Sequence, residues 1–244
     1  MSGGEPVTDR VVRRAVLWVP DWPIVAGVAE AGLGAETPAA ILHGRGMVAV
    51  SAAARRAGVR RGMRKRQAQR VCPEVVLLPH DEGRDTRAFE AVVAAAEQVV
   101  SGVEVSRPGV LMISSDGAAR FHGSEEALAE ELVTAVAEIA GCESGVGIAD
   151  GLLAAVIAAR ENVIVPAGGS RAYLAPRPTS NLTYAAMEPR YRQAIADLVS
   201  VLDRLGIRTM GDFAALPSGD VIARFGAPGA WALRLASGGD LAPP

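Results

Sequence analysis

The chain has 244 residues, half of them apolar, with 25 Lys and Arg against 27 Asp and Glu and a net charge of −2. That is enough apolar material for a large core and for more than one domain, and it excludes a disordered polar chain. Cys72 and Cys142 lie far apart without metal-type spacing, so neither a disulfide framework nor a zinc site is suggested, and a reducing cytoplasm fits best. No apolar run reaches the ~18 to 20 residues of a membrane helix. The run after Arg13-Arg14 is cut short by Pro20, Asp21 and Pro23, so it reads as a strand, not an export signal.

Residues 1–10 form a polar Gly- and Ser-containing tail, expected to be disordered. Residues 15–19 are a short apolar run, predicting a buried strand, and residues 24–34 are helical in pattern. Strands follow over 39–42 and 48–50, separated by the turn-like His43-Gly44-Arg45-Gly46. From Ser51 the pattern is helical, and Gly58 and Gly62 divide it into two short basic helices ending near Cys72-Pro73. A strand over 75–78 leads to a helix over 84–101, whose Phe89, Val92, Val93, Ala96, Val99 and Val100 make one core-facing stripe. Residues 103–107 and 110–114 predict a hairpin around Pro108-Gly109, and Asp116 reads as a turn residue. A helix over 124–140 has Ser124 as its N-cap, with acidic residues in the first turn where the macrodipole favours them. A strand over 144–149 and a helix over 151–160 complete a β-α-ββ-α-β-α order with a small α/β insertion near its start, an α/β layer with a split sheet. Residues 163–180, with Pro166, Pro176, Pro178 and Gly168-Gly169, read as a linker into an all-helical end. There, a helix over 189–205 stops at Gly206, one capped by Thr209 runs to 216–217, and another spans 218–225 before Gly226.

Between positions 47 and 73 eight basic side chains occur with no acidic one: Arg55, Arg56, Arg60, Arg61, Arg64, Lys65, Arg66 and Arg70. Each cation held near a phosphate releases condensed counterions, so this segregation reads as a footprint for a polyanion, with nucleic acid the leading partner. Taken alone, the run also reads as a solvated helical face. His43, His80 and His122 are scattered and read as structural; Trp18 and Trp22 read as packing residues at a strand end.

Leu205-Gly206-Ile207-Arg208-Thr209-Met210-Gly211-Asp212-Phe213, followed by Phe225-Gly226, resembles the helix-hairpin-helix thumb of Y-family DNA polymerases. In such hairpins backbone amides approach a phosphate and binding ignores base sequence. The stretch from Val50 to Met63, with Cys72-Pro73-Glu74 after it, is similar to the family's finger motif, and Ser114 to Gly123 and Gly147-Ile148-Ala149 fall where its palm elements lie. The resemblance implies an α/β palm with a split βαβ-type sheet over 11–23 and 76–165, small α/β fingers over 24–75, and an all-helical thumb with its linker over 166–244. The little finger of the family would follow this thumb, so it is expected to be absent from residues 1–244. It also implies that primer-template or damaged DNA is bound through Arg55, Arg60, Arg61, Arg64, Gly206, Ile207, Arg208, Thr209 and Gly211.

Against the family's pattern the chemistry is missing. Polymerisation needs two Mg²⁺ held by carboxylates. Val19 stands at the first metal-binding aspartate and Asp21 at the second, less essential one, while Pro108-Gly109 replaces the Asp-Glu pair of the other motif. Ala52 replaces the finger tyrosine while Arg55 keeps its companion arginine, and Asp150 to Val156 offers no lysine to a triphosphate. No catalytic residue, metal site or cofactor is therefore expected.

This combination resembles the ImuB-type adaptors of bacterial mutagenesis cassettes. Such proteins connect the sliding clamp, a RecA-like accessory protein and an error-prone C-family polymerase during damage-induced translesion synthesis. The clamp-binding peptide and partner-binding region would lie beyond Pro244. The resulting expectation is a cytoplasmic, non-catalytic DNA-binding adaptor with no membrane association. Two readings stand beside it. One is an active error-prone polymerase holding Mg²⁺ through Asp21, Asp116 or Glu104; the other is a sequence-neutral DNA-binding module.

Overall fold

A computed structural model describes residues 12–186 and 189–239. The tail expected over residues 1–10 lies outside them. The described residues form a mixed α/β fold with two sheets, one of four strands in the order β5-β6-β1-β7 and one of three in the order β3-β2-β4. These strands are β1 (Arg13–Trp18), β2 (Ala39–His43), β3 (Gly46–Val50), β4 (Val76–Pro79), β5 (Val103–Arg107), β6 (Val110–Ser114) and β7 (Gly145–Asp150). The chain divides into two compact units. The first holds residues 12–18, 112–131 and 145–239; the second holds 19–111 and 132–144.

In the second unit β2 pairs antiparallel with β3 and parallel with β4, giving a small sheet with an apolar cluster on each face. Helix α1 (Trp22–Glu30) supplies Ile24 and Val28 to one cluster, against Ala39, Ile41, Ala49 and Leu78. Helices α2 (Ala52–Arg56) and α3 (Lys65–Val71) supply Ala54 and Ala68 to the other, with Val50, Val59, Cys72 and Val75. Helix α4 (Glu82–Val99) starts at Asp81, whose carboxylate accepts the Arg84 N–H at 2.8 Å. It buries Phe89, Val92, Ala95 and Ala96, much of the stripe expected from spacing. Trp22 is buried against it. Its ring meets Phe89 edge-on at 5.0 Å and its Nε1–H donates to the Asp85 carbonyl at 2.7 Å.

In the first unit β1 runs antiparallel to β7, with Arg13 opposite Asp150 and Trp18 opposite Gly145. Helix α7 (Leu152–Glu161) lies directly on β7, and every side chain from Leu153 to Ala159 is buried. Arg13 donates to Glu125, to Asp150 Oδ1 at 3.1 Å and to the Val165 carbonyl at 2.8 Å. Hydrogen bonding to Glu125 outweighs the effect of burial and holds this guanidinium firmly in its charged form. Arg160 is sandwiched between the rings of Trp18 and Tyr184, at 4.4 and 4.1 Å. The remaining helices are α8 (Ser170–Leu174), α9 (Pro189–Arg204), α10 (Met210–Ala214) and α11 (Ser218–Ala236); α11 packs on α9 and α10, and Ile195, Leu202, Phe213 and Trp231 are buried.

Three local departures from the sequence reading have identifiable causes. Asp116 is not in a turn but in the first turn of helix α5 (Ser115–His122), because Ser and Asp favour helix starts as much as turns. The helix expected over 124–140 is α6 (Glu125–Ala135) continued by a π-helical turn over Val136–Ala140. Gly226 breaks the helix after Phe225 as expected, with φ +61°, but the chain resumes helical form to Ala236 with Pro228 at the restart, where its missing N–H costs nothing. Among the described residues no helix is long and apolar enough to cross a membrane.

Candidate functional site

The basic segment is amphipathic by construction. Ala54, Val59, Ala68 and Cys72 are buried, while all eight cations face solvent. Ser51 fixes the start: its Oγ accepts the Ala54 N–H at 3.2 Å and the Ala39 N–H at 2.9 Å, tying α2 to the start of the central strand β2. Gly62, at φ +81°, donates its N–H to the Met47 carbonyl at 2.8 Å and carries the chain into α3.

The eight cations differ in their surroundings. The Arg55 guanidinium donates to Asp21 Oδ2 and to the Val50 carbonyl at 2.6 Å, and Arg61 lies 3.3 Å from Asp21 Oδ1. Arg56 pairs with Glu36 at 2.9 Å. Arg60 turns back onto the carbonyls of Arg55 and Val59, at 2.7 and 2.9 Å, which closes the C-terminal end of α2. Arg64, Lys65, Arg66 and Arg70 are exposed and carry no ion pair among the described residues.

The two segments expected at the family's metal-binding motifs meet in space. The Val19 N–H donates to the Gly109 carbonyl at 3.0 Å. Val19 is 1% exposed, and Gly109, at φ +91°, sits so close to Trp22 that a Cβ there would lie 2.8 Å from the Trp22 Cβ. Glycine is therefore required on two counts, the left-handed backbone and the close approach. Asp21 adopts φ 47°, ψ 39° at the entry to α1, and its carboxylate is the one occupied by Arg55 and Arg61. Glu104 is exposed on β5, and Asp116 is exposed on α5. Among the described residues no three His, Cys, Asp or Glu side chains group so as to hold a metal ion.

The segment expected as a DNA-binding hairpin has the geometry of a tight helix-to-helix turn. Gly206, at φ +79°, follows α9, and the Gly206 and Ile207 N–H groups donate to Asp203 and Leu202 carbonyls at 3.0 and 2.9 Å. Thr209 caps α10, its Oγ1 accepting the Asp212 N–H at 3.1 Å. The Met210 and Gly211 amides donate to the Arg177 and Ala175 carbonyls, at 2.8 and 2.9 Å. So the amides of Gly206, Ile207 and Gly211 already have protein partners, and Arg208 stands out as an exposed cation, 3.5 Å from Asp203. Within the stretch from Asp150 to Val156, which offers no lysine, Leu153 to Val156 are buried in α7.

Nothing in the local sequence signals that Asp21 bonds two arginines of the basic segment. The partners lie 34 and 40 residues away and share no local motif.

Residues 25–160 match the model of the IMS (impB/mucB/samB) family. That span holds the basic segment and the Pro108-Gly109 turn, and ends before the 205–213 hairpin. In three dimensions the chain is similar to the solved structure of a Dbh ternary complex with partially disordered substrates, with a TM-score of 0.71 and 16% sequence identity. The similarity covers 92% of this chain and 66% of that one, so this chain spans just under two thirds of its length. No curated protein matches the sequence.

Proposed function

The chain belongs to the impB/mucB/samB family, and on that premise we propose that it is a non-catalytic, Y-family polymerase-like DNA-binding adaptor in damage-induced translesion synthesis. The observation that carries this reading is the pairing of Val19 with Gly109. Two-metal phosphoryl transfer needs carboxylates a few ångströms apart. Here the two candidate positions are neighbours and neither bears a carboxyl group. The remaining carboxylate, Asp21, is held by two guanidinium groups. These side chains do not fit a pair of Mg²⁺ ions, and no chemical step is assigned to them.

What remains is grip. The exposed cations of α3 supply sequence-independent affinity for a phosphate backbone, with Arg208 of the α9–α10 turn as a further contact in the thumb. On this reading the protein works in the bacterial cytoplasm on primer-template or damaged DNA. Its partners would be those of ImuB-type adaptors: a sliding clamp, a RecA-like accessory protein and an error-prone C-family polymerase. Helix-hairpin-helix recognition by the thumb is part of the same proposal.

Salt-dependent binding tests it. Titrating the 244-residue chain onto labelled primer-template DNA between about 50 and 200 mM salt should give log K falling linearly with log salt. Four phosphate contacts correspond to a slope of about −3.6 on duplex. Binding that is absent, or indifferent to salt over that range, would overturn the reading.

A further inference from the structure

Arg160, in the last turn of α7, is held by aromatic rings and by no acid. Its guanidinium lies 4.4 Å from the centre of the Trp18 ring and 4.1 Å from that of Tyr184, so stacking takes up both of its faces. It makes no ion pair and no hydrogen bond among the described residues. The next residue, Glu161, is already engaged: it accepts from the Tyr173 hydroxyl at 2.7 Å and pairs with Arg177. The Trp18 Nε1–H and the Tyr184 hydroxyl also have no hydrogen-bond partner among the described residues, and all three side chains are half-buried at the surface. A guanidinium and an indole N–H can only donate, and a phenol donates readily. The cluster therefore offers donors without an acceptor of its own, which suits an oxyanion.

We propose that Trp18, Arg160 and Tyr184 form a docking site for an acidic peptide segment of a protein partner, with a carboxylate of that segment on the N–H edge of Arg160 and its apolar neighbours on the two rings. Three features favour a peptide. With its faces covered, the guanidinium presents only its in-plane fork, and a carboxylate is flat and accepts two parallel hydrogen bonds in that plane. The remaining oxygens of a phosphate would stand above and below it, against the rings. Arg160 is also a single cation beside a neutralised Glu161–Arg177 pair, not one of a row of charges such as a nucleic-acid backbone requires. Finally, Trp, Tyr and Arg are the side chains that dominate the binding energy of protein–protein interfaces, and a fork already fixed by stacking loses little freedom on binding. The inference goes beyond the adaptor reading and does not depend on DNA binding: these three residues belong to the first unit, the basic segment to the second.

Proton–nitrogen NMR of the full chain reads the site. The other two tryptophans, Trp22 and Trp231, are buried, so their indole signals serve as internal references. The probe is an end-capped peptide of two glutamates flanked by leucines, compared with the same peptide carrying glutamines, with inorganic phosphate and with primer-template DNA. The acidic peptide should shift the Trp18 indole N–H and the Arg160 Nε–H together, saturating with a Kd of about 1 mM or tighter. The glutamine peptide should bind at least about tenfold more weakly, the loss expected when a charged hydrogen-bond partner is removed. Arg160→Gln, which keeps a flat amide between the rings without the charge, should weaken the acidic peptide by the same factor, and a thermal melt checks its fold. The proposal is overturned if the two signals ignore the acidic peptide, if both peptides bind alike, if binding survives Arg160→Gln, or if phosphate or DNA saturates these signals at lower concentration than the peptide. Should Arg160→Gln fail to fold, the wild-type titrations decide. Failure of the chain to bind DNA would count against the adaptor reading and leave this site standing.

Discussion

Gly147→Ala should cost more stability than any other single methyl group added to this chain. A Cβ at position 147 would lie 1.9 Å from the Ala159 nitrogen and 2.2 Å from the Ala158 carbonyl carbon. These obstacles are backbone atoms of α7, so no side-chain rotation relieves them. The helix would have to lift off β7, and the residues from Leu153 to Ala159 that it buries would part from the sheet together. Overpacking in a core commonly costs ~1 to 3 kcal/mol, and a backbone collision belongs at or beyond the upper end of that range. Against a total stability of roughly 5 to 15 kcal/mol, that is a large fraction. Urea denaturation followed by circular dichroism reads the change. Gly219→Ala is the control: nothing lies within 4 Å of a Cβ there, and the helical position should be neutral or slightly stabilised. A destabilisation below about 1 kcal/mol at Gly147 would mean that α7 does not sit on β7 as described.

Reversing the four cations of α3 and its N-cap that carry no ion pair among the described residues should produce the largest change in DNA binding. Arg64→Glu, Lys65→Glu, Arg66→Glu and Arg70→Glu alter one exposed surface around the buried Ala68 and remove no ion pair among the described residues. If all four sit against phosphates, affinity at about 0.1 M salt falls by roughly a thousandfold or more, and the salt slope flattens by about 0.9 for each phosphate that is no longer neutralised. Arg56→Glu should change little, because Arg56 is already paired with Glu36. The measurement is fluorescence anisotropy at several salt concentrations, with thermal melts confirming that each variant is folded. An unaltered slope in the fourfold variant would place the DNA-binding surface elsewhere.

The course of the chain was largely legible before any coordinates. Apolar runs marked the strands, and Pro108-Gly109 marked the hairpin between β5 and β6. Glycines marked the ends of α2 and α9, because left-handed backbone there leaves few other choices. The start of α5 was hidden because Ser114-Ser115-Asp116-Gly117 carries residues that begin both turns and helices. The need for Gly145 and Gly147 was hidden too, since it arises from a helix lying against them and not from their own conformation. For the site, the expectation that Val19 and Pro108-Gly109 stand where the family carries metal-binding carboxylates came only through resemblance to a known motif. Which arginines are held by acids could not be read at all. That depends on Asp21 and Glu36 reaching side chains 20 to 40 residues away, and charge counting along the segment treats all eight cations alike.

On the proposed reading, this chain holds DNA without copying it. Primer extension tests this most directly, with the 244-residue chain at saturating concentration on a primer-template, all four nucleotides, and Mg²⁺ or Mn²⁺. Wild type should give no extension with either metal. Nucleotide incorporation by wild type that disappears in Asp21→Ala would contradict it, since that carboxylate would then be serving a reaction instead of two arginines.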